Sequence, residues 1–120
     1  MNWQITDGRP VWLQLKEQLA MGILTGIYPQ GSRLPSVREL AMDAGVNPNT
    51  MQRALAELER DGLAHSMGTT GRVVTENREI INQLRIQSAK AVVERYLDSM
   101  KQLGYSPAEA VKVLEEWENE

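Results

Sequence analysis

The chain has 120 residues, no cysteine, and 13 basic against 16 acidic side chains, for a formal net charge of −3. That length allows one compact domain with an appendage and leaves little room for a second full domain. The absence of cysteine excludes disulfides and thiolate metal sites. No apolar run approaches the roughly 20 residues of a membrane span and no signal peptide opens the chain, so a cytoplasmic protein is expected.

The first element is a helix opening at Pro10. Val11, Leu15, Leu19 and Ile23 recur along it at every fourth residue, the stripe of a helix laid on a core. Trp12 on this helix reads as packing, at the domain edge or against the tail, in preference to ligand stacking. Trp3, ahead of the helix, either clips a partner subunit or stands half exposed.

Two short helices follow between Arg33 and Gly62. Pro35 bars a helix from running through it, and Ser36 with Glu39 fits a capping box. Leu40, Ala41 and Ala44 form the inner face of a helix about two turns long, and Gly45 suits the left-handed residue that ends it. Asn47 is a good N-cap and Pro48 sits at the first helical position. Met51, Leu55 and Leu58 then fall on one buried stripe, leaving Asn49, Thr50, Gln52 and Arg53 on the other side. A helix, a glycine turn and a second helix with hydrogen-bonding side chains at its start are the parts of a helix-turn-helix that reads base edges and phosphates.

After Gly62 the pattern acquires β character. Leu63 to Met67 reads as a strand, Gly68-Thr69-Thr70-Gly71 as a turn, and Arg72 to Thr75 as the return strand. A hairpin directly behind a recognition helix is a wing. The glycine-bounded turn lacks the Walker lysine and a following helix, so it does not read as a nucleotide cradle.

A tail begins near Glu76. Arg78 to Leu103 contains no proline or glycine and reads as one long helix. Ala89, Val92, Tyr96, Met100 and Leu103 form a stripe on its later half, with Ile81 and Leu84 earlier. Gly104 stops it. Ser106, Pro107 and Glu109 form a second capping box, opening a last helix expected to bury Ala110, Leu114 and Trp117. Two such helices cannot enclose a core alone, so their stripes are expected to dimerise in a two-fold arrangement. The expected fold is therefore mainly α with a small β-hairpin wing. It comprises a winged helix-turn-helix domain over residues 1–75 and a two-helix dimerisation tail over 76–120.

From about Pro10 to Thr75 the chain resembles the GntR family of bacterial transcription regulators. The matching segments are PVWLQL from Pro10, Gly26, RLPSVRELA from Arg33, GVNPNT from Gly45, Arg53-Ala54-Leu55 and LERDGL from Leu58. Asn-Pro-Asn-Thr and the short tail most resemble the YtrA subfamily. The resemblance implies DNA contacts at Ser36 and Arg38, then at Asn47, Asn49 and Thr50, with Gln52 and Arg53 close by. Arg33 and the wing residues Gly68, Thr69 and Arg72 complete the expected surface. Arg38 is expected to anchor a phosphate or guanine while Asn49 and Thr50 orient the helix. Two features depart from the family pattern. Gln52 stands where many relatives carry arginine. The wing carries Ser66-Met67 and a longer Gly-Thr-Thr-Gly tip, with Arg72 as its only cation. The resemblance also implies a homodimer on a palindromic double-stranded operator, repression by default and control of neighbouring transporter genes. A small-molecule effector between subunits stays open.

Charge divides unevenly between the two parts. Residues 1–75 carry seven basic and seven acidic side chains, while residues 76–120 carry six and nine. An uncharged head predicts modest nonspecific affinity for DNA and specificity that depends on a dimer. His65 is the only histidine and the carboxylates of the last helix lack ligand spacing, so no catalytic residue, cofactor or metal site is expected. The rival reading is a winged-helix interaction module that uses its apolar tail on a different protein.

Overall fold

The computed structural model describes residues 1–119. It contains helices α1 (Val11–Leu24), α2 (Val37–Ala44) and α3 (Pro48–Arg60), strands β1 (Ala64–Ser66) and β2 (Arg72–Val74), then helices α4 (Arg78–Gln102) and α5 (Pro107–Glu118). A single 3-10 turn, Gly68–Thr70, joins the strands. The chain divides into two compact units, Met1–Leu84 and the residues from Arg85 onward.

The first unit is built around α1 and α3. Leu15, Leu19 and Ile23 of α1 are buried, as are Met51, Ala54, Leu55 and Leu58 of α3, and they belong to one cluster with Leu34, Leu40, Ala41, Leu63 and Val74. The periodicities of four and three seen in the sequence are the reason these side chains share a face. Tyr28 comes back onto α1 after the helix ends. A methyl group on Gly22 would lie 2.7 Å from its ring, so glycine is required at that crossing. Gly45 ends α2 in the left-handed region at φ 69, as its position predicted.

The hairpin is antiparallel, with Ala64 opposite Val74, His65 opposite Val73 and Ser66 opposite Arg72. Its strands are shorter than the expected 63–67 and 72–75. A third rung was not legible in the sequence. The extended segment after Tyr28 pairs with β2 through Leu34 N–H to Arg72 O (2.9 Å), Val74 N–H to Ser32 O (2.8 Å) and Gly31 N–H to Val74 O (3.0 Å). The wing is thereby held from both sides, which an isolated two-stranded hairpin is not.

The head does not stop at residue 75. Ile81 from the first turns of α4 is buried in the same cluster, with Ile80 and Leu84 packed partly against it. The first compact unit therefore reaches past the expected boundary between 75 and 76. Within it, the buried amide of Gln14 organises the segment ahead of α1: its Oε1 accepts from Thr6 N–H (2.8 Å) and its Nε2 donates to Thr6 O (2.8 Å) and Arg9 O (3.0 Å). Trp3 is half-buried and donates its indole N–H to Asp43 of α2 at 2.8 Å, a contact inside its own chain.

In the second unit, Ser106 and Glu109 form the expected capping box. The Tyr96 hydroxyl donates to Ala110 O at 2.7 Å, and Met100 and Ala110 are buried. The expectation that α5 buries Leu114 and Trp117 is corrected: they are 53% and 74% exposed. Ala110 is the smallest residue of that stripe and sits where α5 meets Tyr96, whereas the larger side chains lie beyond that contact. Replacing Leu55 by alanine is expected to lower unfolding free energy by about 2–5 kcal/mol, because this side chain is fully buried. Urea titration of the variant followed by circular dichroism measures it.

Candidate nucleic-acid interface

The start of α2 is shaped by Ser36. Its hydroxyl oxygen accepts from Glu39 N–H (3.1 Å), and Glu39 Oε1 accepts from Ser36 N–H (3.2 Å). These bonds, first the backbone one and then the hydroxyl, hold the Glu39 carboxyl below its ordinary range, with Arg33 adding a smaller push in the same direction. Arg38 follows on the exposed face of α2. Ser36 thus has a local capping task whatever else it touches.

The start of α3 repeats the device. Asn47 Oδ1 accepts from Asn49 N–H at 2.8 Å and Pro48 occupies the first turn. One face of α3 is committed to the core, so Asn49, Gln52 and Arg53 emerge on the opposite face and are exposed, while Thr50 is half-buried beside Met51. Arg53 lies 4.2 Å from the ring centre of Trp12. That stacking gives Trp12 a place inside the head, where its ring carries the Arg53 cation. Nothing in the spacing of the sequence pairs residue 12 with residue 53.

On the other flank of α3 stands the wing. Gly68 and Thr69 are exposed at its tip, and a cleft of about 290 Å³ separates the wing from the start of α2. Arg33, Ser36, Ser66, Gly68 and Gly71 line it, with Arg72 at the side. The structure therefore brings Arg33 and Ser36 beside the wing. Arg72 is differently employed than expected of a lone wing cation. Its Nε donates to Glu59 Oε1 at 2.6 Å, and the same oxygen accepts from the Ser66 hydroxyl at 2.8 Å. Glu59 was missed in the sequence because it reads there as one more exposed acid on a charged helix end. The signal was its place on α3, one flank away from the core stripe.

Among the described residues there is no group of three or more His, Cys, Asp or Glu side chains arranged to hold a metal ion. No helix among them is long and apolar enough to cross a membrane.

A helix-turn-helix packed on a third helix, followed at once by a hairpin against the second helix of the pair, defines a winged helix. The family model for the bacterial regulatory proteins of the gntR family matches residues 12–74, and the chain belongs to that family of transcriptional regulators. Over 112 residues it is 33% identical to the uncharacterised regulator YhcF of Bacillus subtilis, covering 93% of both chains. To the transcriptional repressor YtrA of the same organism it is 41% identical over 68 residues, 57% of this chain and 52% of that one. This places it with the YtrA-like regulators. A solved GntR-family regulator from Listeria monocytogenes superimposes with a TM-score of 0.82 at 35% identity, covering 93% of this chain and 98% of the other. The DNA-binding domain of AraR solved with operator ORX1 matches at a TM-score of 0.54 and 25% identity, over 62% of this chain and 92% of that one.

Glu39 supplies a pH prediction. Its folded carboxyl titrates below the ordinary range, so its capping contribution is fully present above that range and is lost as pH falls through the folded value. Ser36→Ala removes the hydroxyl but keeps the backbone N–H, the larger cause, so it is expected to raise the Glu39 titration only part of the way toward the ordinary range and to reduce the acid-side loss. Carboxyl-carbon NMR titration of both proteins reads the shift.

Proposed function

We propose that this protein is a repressor that binds an inverted-repeat operator as a homodimer in the cytoplasm, with neighbouring transporter genes as its targets. The observation that carries the reading is the exposed polar face of α3, set between the capped start of α2 and a wing whose strand β2 is paired on both edges. Polar side chains at a helix start suit base edges in the major groove, and the wing lies beside them for backbone contact. In this reading Arg38 anchors a phosphate or guanine. Asn49, Thr50 and Gln52 face the groove, and Arg53 reaches it from its seat on Trp12. Arg33, Ser36, Gly68 and Thr69 meet the sugar-phosphate chain, and Asn47 orients α3. The likeness to a named repressor and to a domain solved on an operator supports the same reading.

The tail supplies the two-fold. Ile86, Val92, Val93, Leu103, Val111, Leu114 and Trp117 are all substantially exposed in the single chain. Exposed apolar surface of this extent on two helices is a partner-binding surface. On α4 an open groove of about 430 Å³ runs beside Ile86, Ala89 and Val93. A second copy is the occupant this proposal assigns, because a palindromic operator demands a symmetric protein. Within the expected dimerisation stripe the residues divide. Ala89, Val92, Leu103, Leu114 and Trp117 face outward, while Met100 and the hydroxyl of Tyr96 serve packing within the chain. Two heads then meet successive major grooves about 34 Å apart. We assign no effector to this chain.

Selection from a random DNA pool is expected to enrich a two-fold motif; enrichment of a single half-site, or of none, overturns the operator assignment. On that DNA, Arg38→Ala and Asn49→Ala should each cost about 1–3 kcal/mol in a shift assay. Trp117→Glu with Leu114→Glu should convert dimer to monomer in sedimentation and weaken operator binding at least tenfold. A wild-type protein that sediments as a monomer at operator-binding concentrations would remove the two-fold.

A further inference from the structure

Arg72 is the wing's only lysine or arginine, so it is the side chain to which a phosphate contact would first be assigned. The structure gives it another occupation. Glu59 stands on α3 on the flank that faces the sheet, and its single oxygen Oε1 accepts from Ser66 of β1 (2.8 Å) and from Arg72 Nε of β2 (2.6 Å). Ser66 and Arg72 face each other as the last rung of the hairpin. Beyond that rung lies only the exposed tip, Met67 to Gly71, whose two glycines adopt positive φ of 50 and 95. One carboxylate oxygen on the recognition helix therefore stitches both wing strands at the point where the tip begins. The pair is well shielded, with side chains 19% and 28% exposed for Arg72 and Glu59. Shielded, charge-assisted bonds of this length hold geometry better than exposed ion pairs do.

We propose that Glu59 is a positioning residue that sets the wing against the recognition helix, and that Arg72 serves this coupling instead of neutralising a phosphate. The inference rests on the DNA-reading function proposed above. Its consequence is a wing that presents no free lysine or arginine. The N–H groups of Met67 and Thr70 close the turn itself, so the tip meets the backbone through the N–H groups of Gly68 and Thr69 and the hydroxyls of Thr69 and Thr70, and the cation on this side of the head is Arg33 in the adjoining cleft. The long Gly-Thr-Thr-Gly tip then has a physical use, since it supplies neutral donors where a basic wing would supply charge.

The two roles of Arg72 make opposite demands on Glu59. If Arg72 is a tether, Glu59→Gln loosens the wing and weakens binding. If Arg72 is a phosphate contact, Glu59→Gln removes a competing anion and strengthens it. Salt dependence separates them further, because each phosphate neutralised contributes about 0.9 to the slope of log K against log salt. The test uses the full-length protein and a DNA fragment enriched by the wild type from a random pool. For Glu59→Gln, Arg72→Met and the double variant we expect a loss of threefold to tenfold each, the double no worse than the worse single. The slope should stay unchanged. Amide exchange over Met67–Gly71 in the free protein should quicken in all three. The swap Glu59→Arg with Arg72→Glu should recover part of the affinity and slow the exchange again; it also serves if a single variant fails to fold. A slope reduced by about 0.9 in Arg72→Met, or tighter binding by Glu59→Gln, overturns the proposal. Wild-type protein that enriches no DNA overturns the operator reading instead, and the exchange measurement then still decides whether Glu59 holds the wing.

Discussion

The burial of α3 against α1 is the constraint on which the head depends. Met51, Ala54, Leu55 and Leu58 are all fully buried, opposite Leu15 and Leu19 of α1. A helix can commit only part of its circumference to a core, so this packing decides which residues of α3 remain outside. Asn49, Gln52 and Arg53 are exposed because their neighbours in sequence are not. The fixed orientation of that polar face thus comes from the apolar side chains on the opposite side of the helix. Fully buried leucines are expensive to displace, which keeps the presented face in one orientation.

Around that core, each flank of α3 is fastened by a different interaction. On the α1 side a guanidinium lies over an indole ring, with Lys16 and Asp61 paired at 2.6 Å near the helix end. On the wing side a carboxylate gathers both strands. The wing is also braced from behind, where the segment before α2 adds backbone hydrogen bonds to β2. Because Leu34 sits in the core and Ser36 caps α2, that segment joins the wing, the core and the first helix of the pair within a few residues. Local capping and long-range pairing therefore converge on the same short stretch, Arg33 to Ser36.

The tail follows a different economy. Its helices are well capped and regular, yet they bury little of their own apolar surface. Met100 and Ala110 find cover within the unit, and most of the larger apolar side chains do not. The excess of acids also falls late in the chain, where residues 76–120 carry six basic and nine acidic side chains.

Much of this was legible from the chain. The helices, the capping boxes at Ser36 and Ser106, the turn at Gly45, the wing and the core stripes follow from local rules: proline and glycine geometry, hydrogen-bonding caps and the 3.6-residue period, all written within a few neighbouring positions. The motifs from Arg33 to Gly62 were specific enough to indicate the family. What sequence spacing could not show were partnerships between distant residues: Arg53 on Trp12, Asp43 on Trp3, the third rung of the wing, the buried amide of Gln14, and Ile81 inside the head's core. Leu114 and Trp117 illustrate the same limit, since a stripe says that a face is apolar and not whether the chain itself covers it. The sequence by itself determined which elements form and which faces are apolar or polar, because those depend on neighbours along the chain. Only the tertiary structure decided that Arg72 is held by Glu59, because a charge takes its partner from whatever the fold brings within reach.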